Sequence, residues 1–142
     1  MYTFELGSTI PAPTEQVWKT WTDLESYPDW DPREEELHLD APFGDGATGT
    51  FKQQGRGRGT FTLTDVHEGA DWTTRCPLPG GELRMDHHLR SVGGDSLSTA
   101  VSKVYSVSGP LSLLFRVWYG RQIRRTLPAS FAALADEVAR RA

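Results

Sequence analysis

The sequence predicts an α+β fold in which a curved antiparallel sheet of about seven strands wraps around a long C-terminal helix. Three observations carry that expectation. Apolar residues recur with a period of two from about Glu34 to Val107. Short turns rich in glycine separate these segments, and such turns join antiparallel strands, whereas parallel pairing needs long crossovers. After Ser108-Gly109-Pro110 the period changes to 3.6 and stays there to the end. At 142 residues the chain matches one domain, 1–142. That length buries enough surface for a core without disulfide or metal staples.

The elements follow in order. Tyr2 to Ile10 alternates, with Tyr2, Phe4 and Leu6 on one side, and reads as a strand. Pro11-Ala12-Pro13 ends it, because proline cannot donate to a ladder. Thr14 offers an N-cap oxygen and Glu15 a first-turn carboxylate, ahead of Val17, Trp18, Trp21 and Leu24 at helical spacing. Asp23 is placed to cap a second short helix that runs to Tyr27 and breaks at Pro28. Leu37 pairs in phase with Leu39, then Gly49 and Phe51 with Gln53, then Phe61 with Leu63, with Val66 joining after a bulge. Trp72, Thr74, Cys76 and Leu78 share a face, as do Leu83, Met85, His87 and Leu89. The last strand presents Leu97, Thr99, Val101, Tyr105 and Val107, with Lys103 as an odd member. Leu114, Val117, Trp118, Ile123, Leu127, Phe131, Leu134 and Val138 then form a helical stripe, and Pro128 inside it is expected to kink or split the helix. A sheet with an apolar face needs a cover, and this helix is the only element long enough.

Composition narrows the function classes. The formal net charge of -4 gives no reason to expect a nucleic-acid partner. No apolar run reaches the roughly 18 residues of a membrane span. The N-terminus lacks a signal peptide's basic and apolar blocks, and the lone Cys76 makes no internal disulfide, so a cytoplasmic location is expected. His87 and His88 diverge to opposite faces of one strand, and His38 and His67 have no ligand-like spacing, so no metal site is expected. Gly55-Arg56-Gly57-Arg58-Gly59 lies between two strands, where a nucleotide loop would lead into a helix, and reads as a hairpin tip.

One stretch is more specific. Ala12-Pro13-Thr14-Glu15-Gln16-Val17-Trp18, Trp21-Thr22-Asp23-Leu24 and Tyr27-Pro28-Asp29-Trp30-Asp31-Pro32 together resemble the opening signature of the polyketide cyclase/dehydrase-type branch of the START-like (SRPBCC) superfamily. Asp65-Val66-His67-Glu68-Gly69, before a strand bearing Trp72, and Ser108-Gly109-Pro110-Leu111 also look like that family. The resemblance implies a helix-grip fold with a cavity between the sheet and the C-terminal helix. It implies no metal and no obligatory cofactor. The family includes lipid carriers, hormone receptors, aromatase/cyclases and chaperone activators, and a shared fold does not settle a shared function.

Candidate site residues follow from strand parity. The apolar face of the Glu82 to Arg90 strand must point inward, which sends His87 into the core, where an imidazole can move a proton on an enolisable ketone. Tyr105 shares the inward parity of its strand and is the second candidate catalytic group. Phe51, Phe61, Trp72, Met85 and Trp118 are candidate ligand-binding walls, with Tyr27 and Trp30 near the family's usual pocket entrance. Trp18 and Trp21 are better read as packing the short helices onto the sheet. The expected function is binding of a hydrophobic polyketide- or lipid-like molecule, as carrier or sensor. The alternative is a polyketide aromatase/cyclase or dehydratase using His87 and Tyr105. A protein-interaction module ranks last, because no large exposed apolar stripe is evident outside the expected core. A monomer and a homodimer are equally compatible with the sequence.

Overall fold

β1 (Tyr2–Ile10) leads into α1 (Thr14–Trp21), a 3-10 turn at Leu24–Ser26 and α2 (Tyr27–Trp30). Six strands follow: β2 (Glu34–Leu39), β3 (Thr48–Gln53), β4 (Arg58–His67), β5 (Asp71–Leu78), β6 (Gly81–Val92) and β7 (Ser98–Ser108). The chain closes with α3 (Ser112–Leu114), a π-helical stretch at Phe115–Tyr119 and α4 (Gly120–Arg141). This computed structural model describes residues 2–53, 57–93 and 97–142. The Gly55 to Gly59 and Gly93-Gly94-Asp95 turns therefore lie partly outside the described residues.

The strands form one seven-stranded sheet in the order β1-β7-β6-β5-β4-β3-β2, antiparallel throughout. β2 to β7 is a meander, and β1 pairs beside β7 on the far edge, so the short helices carry the chain from one edge to the other. This is the expected helix-grip arrangement, with the C-terminal helix covering the concave face. Ile123, Leu127, Leu134 and Val138 are almost wholly buried along it. α4 runs unbroken through Pro128, although the ring removes the backbone bond that would reach the carbonyl of Arg124.

Two expected caps are not made. Pro13 occupies the N-cap of α1 with extended backbone, and the Thr14 hydroxyl turns to Ser91 and Thr99 on the sheet. Asp23 does precede the 3-10 turn, but its carboxylate accepts from Arg141 at the end of α4. In both cases a tie between distant elements takes the side chain that local sequence assigned to a helix end. Glu137 accepts from Arg140 and Arg141, so one carboxylate and one arginine fasten the last turn of α4 to the Asp23 corner.

Two bulges bend the sheet. One falls between Glu34 and Glu36, the other between Thr64 and His67, where Asp65 takes φ 53°. Each inserts a residue that has no partner across the ladder and sharpens the local bend. On the concave side, bare glycines make room for rings. Gly49 stands opposite Phe61, and Gly59 opposite Phe51. A Cβ on Gly49 would lie 2.5 Å from Phe61 Cζ, and one on Gly59 would lie 2.6 Å from Phe51 Cζ. Both rings can lie flat on the sheet only because the residue opposite has no side chain.

Candidate functional site

The concave face leaves a cavity towards its β2–β5 half. Its walls come from Leu24 and Tyr27 above, Glu34 and Leu37 on β2, Phe51 and Gln53 on β3, and Phe61 on β4. Trp72, Thr74 and Cys76 of β5, Met85 and His87 of β6, and Lys103 of β7 complete it. The space that the centre of a water-sized sphere can reach is about 60 Å³. Family resemblance put the cavity against the C-terminal helix, yet no residue of α4 lines it. The inward side chains of α4 pack on the short helices and β1, and a second hollow of about 310 Å³ lies at the start of the C-terminal helix, among Leu78, Leu114, Phe115, Trp118, Tyr119 and Gln122.

His87 sits at the centre of a row that crosses the sheet. Trp72 is its register partner on β5 and Lys103 its partner on β7. The imidazole stacks on Trp72 with ring centroids 4.2 Å apart and planes 3° from parallel. Trp21 meets its edge at 5.3 Å. His87 is 6% exposed, while His88 points to solvent, so the two do diverge as strand geometry requires. Burial first, and then the Lys103 charge, hold His87 well below the ordinary histidine pKa, so it is neutral at neutral pH. Its Nδ1 is buried without a hydrogen-bond partner.

A polar group closes one side of the cavity. Gln53 Nε2 donates to Glu34 Oε1 at 2.9 Å, and Tyr119 donates its hydroxyl to Gln53 Oε1 at 3.3 Å. Glu34 Oε2 is left without a partner, and burial pushes this carboxyl above the usual range. Tyr105 is completely buried, stacks on Phe4 at 5.0 Å, and leaves its hydroxyl without a partner in hydrogen-bonding geometry. Lys103 Nζ lies 5.1 Å from the centre of the Tyr105 ring. Burial alone would raise the Tyr105 pKa, but the Lys103 and Arg33 charges outweigh it and leave the phenol below its ordinary value.

Of the residues singled out from sequence, Tyr27, Phe51, Phe61, Trp72, Met85 and His87 line this one cavity. Tyr105 is buried on the same face beside Lys103 without being part of the wall. Trp30 packs on Tyr27, donates to Ser26 and does not reach the cavity. Trp118 lies elsewhere, 72% exposed, and lines the second hollow together with Leu78, Leu114, Phe115 and Tyr119. Trp18 and Trp21 pack edge-on to Trp72, as expected of residues that seat the short helices. Sequence reasoning missed Glu34 and Arg33. Gln53 was legible from its parity with Phe51, but Glu34 has the opposite parity to Leu37 and joins the inner face only because of the bulge.

Three other features complete the picture. Cys76 is buried in the wall, and burial pushes its thiol up to about 12, so it is no thiolate nucleophile at neutral pH. Among the described residues no three His, Cys, Asp or Glu side chains are grouped to hold a metal ion, and no helix is long and apolar enough to cross a membrane. Leu113, Leu114, Val117 and Trp118 are exposed, although helical periodicity assigned Leu114, Val117 and Trp118 to the buried stripe. The π-helical turn at Phe115–Tyr119 changes the phase of the stripe, so Phe115 faces inward and its neighbours outward.

A family model described as polyketide cyclase / dehydrase and lipid transport matches residues 1–139. No curated protein matches the sequence. Among solved structures, the chain is similar to the Zhui aromatase/cyclase from a Streptomyces species, with a TM-score of 0.79 at 16% identity, over 99% of this chain and 94% of that one. It is equally similar to a START superfamily protein from Mycobacterium smegmatis, with a TM-score of 0.78 at 18% identity and full coverage of both chains. At these identities the likeness speaks for the fold.

Proposed function

The chain belongs to the polyketide cyclase/dehydrase and lipid transport family, and from that premise we propose that it takes up a hydrophobic small molecule, polyketide- or lipid-like, as a carrier or sensor. The observation that carries this reading is the composition of the cavity. Leu24, Leu37, Phe51, Phe61, Trp72 and Met85 supply most of its wall, and a few polar groups converge at one side. Such a mixture fits apolar ligands that are oriented by one or two polar contacts. The free space of about 60 Å³ is small beside the roughly 300 Å³ of a typical ligand pocket, so a ligand of that size displaces wall side chains on entry.

A second reading has its own support. His87 Nδ1 and Tyr105 Oη are both buried and unpartnered on this face. An unpartnered neutral imidazole can accept a proton from a carbon next to a ketone, and a phenol can donate to the enolate oxygen that forms. The solved aromatase/cyclase with a similar fold makes this a specific alternative.

Native mass spectrometry of freshly purified protein tests the first reading through a retained small molecule released on denaturation. Loss of polyketide turnover in His87→Ala with unchanged ligand affinity would replace the carrier by the enzyme. A protein that retains nothing and binds no apolar probe would refute both.

A further inference from the structure

The polar side of the cavity holds the Lys103 ammonium and the Glu34 carboxyl, and Arg33 stands outside the wall, half-buried and next to Glu34 in sequence. Among the described residues neither cation forms an ion pair with a carboxylate. The two nearest candidates are otherwise engaged. Glu34 accepts from Gln53, and burial favours its neutral form. Asp31 accepts from Ser130 Oγ at 2.7 Å and from the Arg33 backbone N–H at 2.9 Å.

Beside Lys103, whose Nζ lies 5.1 Å from the ring centre, stands Tyr105, its hydroxyl fully buried and without a hydrogen-bond partner. The direction of its pKa reports a positive potential at that oxygen. Unpaired charges near a low-dielectric wall are costly, and a buried hydroxyl without a partner adds to the cost. Both costs disappear when an anionic oxygen pair enters, because a carboxylate accepts from an ammonium, a guanidinium and a phenol at once.

We propose that Lys103, Arg33 and Tyr105 form a recognition site for a carboxylate, so that the molecule taken into the cavity is an apolar carboxylic acid. This rests on the cavity being a ligand site and specifies the class of ligand. The apolar body lies against Trp72, Phe51 and Phe61, and the acid group turns towards β7. No chemical step is involved, since the acid enters and leaves as the same species.

Two probes of one shape separate the charge from the hydrophobic contact. 2-Naphthoate and 2-naphthamide differ in the group offered to Lys103, and their dissociation constants are measured by calorimetry at pH 7.5. The wild-type protein is expected to bind the acid at least tenfold more tightly than the amide. Lys103→Met and Arg33→Met each bring that ratio to within about threefold of one. Lys19→Met, which removes a charge from the exposed face of α1, leaves the ratio unchanged. Equal binding of acid and amide by the wild type would overturn the carboxylate site while leaving the apolar cavity reading intact. A ratio that falls equally in Lys19→Met would trace it to overall charge and also overturn the site. If neither probe binds, the cavity reading fails and takes this inference with it. Should either cavity variant not fold, the wild-type ratio and the other variant still decide.

Discussion

Replacing His87 by phenylalanine should make the protein more resistant to mild acid. The wild-type imidazole is 6% exposed, stacked on Trp72, and held neutral by burial and then by Lys103. In the unfolded chain it protonates near the ordinary value of about 6.5. The folded value is the lower one, so the stability linked to this group is complete above about pH 6.5 and drains away as pH falls towards the folded value. While the folded imidazole stays neutral, the slope is that of one proton, about 1.4 kcal/mol per pH unit. Over the 1.5 units or so from 6.5 to pH 5 the wild type should lose about 2 kcal/mol that His87→Phe retains. His67 pulls the other way, because its hydrogen bond to Asp71 raises its pKa and stabilises the fold at low pH, but that contribution is common to both proteins and cancels. Urea midpoints followed by far-UV circular dichroism at half-unit intervals from pH 5 to 7.5 measure the difference. Parallel curves for the two proteins, or a His87 imidazole that titrates near 6.5 by NMR, would refute the argument.

Two further expectations concern the frame around the site. Glu137→Gln removes the acceptor shared by Arg140 and Arg141 and should cost about 1 kcal/mol at neutral pH. Because the two arginines lower the Glu137 pKa from 4.5 to about 2, the wild type's advantage is complete above pH 4.5, shrinks as pH falls through that range, and is gone below about 2; a constant difference between urea midpoints at pH 7 and pH 2.5 contradicts this. Gly49→Ala places a methyl 2.3 Å from the His38 carbonyl oxygen and 2.5 Å from Phe61 Cζ, which should destabilise by about 2 kcal/mol and displace a cavity wall. An unchanged melting temperature would mean that the ring gives way at no cost.

Much of this molecule was readable before any coordinates, because its elements obey local rules. Alternation between polar and apolar residues needs only the pleat, so the inward set of Trp72, Cys76, Met85, His87 and Tyr105 follows from parity on unbroken strands. The change to a 3.6 period marks the covering helix in the same way. Parity fails where the ladder slips a residue. The bulge at Glu34/Glu36 turns a glutamate inward among aromatics, and the π-helical turn at Phe115–Tyr119 turns Trp118 out of the core it was expected to line. Neither irregularity has a local signature, since each is stabilised by what packs against it from far along the chain. Caps were lost for the same reason, with Thr14 and Asp23 drawn to the sheet and to Arg141.

The sequence by itself determined the fold, through two periodicities and the turns between them, and it identified His87 and Tyr105 as inward polar groups. Only the tertiary structure decided that a cavity lies beneath Leu24 and Tyr27 and that Lys103 lies over the Tyr105 ring beside it. The physical reason is range. Which face a residue takes is set by its neighbours in the chain, whereas which charges share a cavity is set by register across strands far apart in sequence.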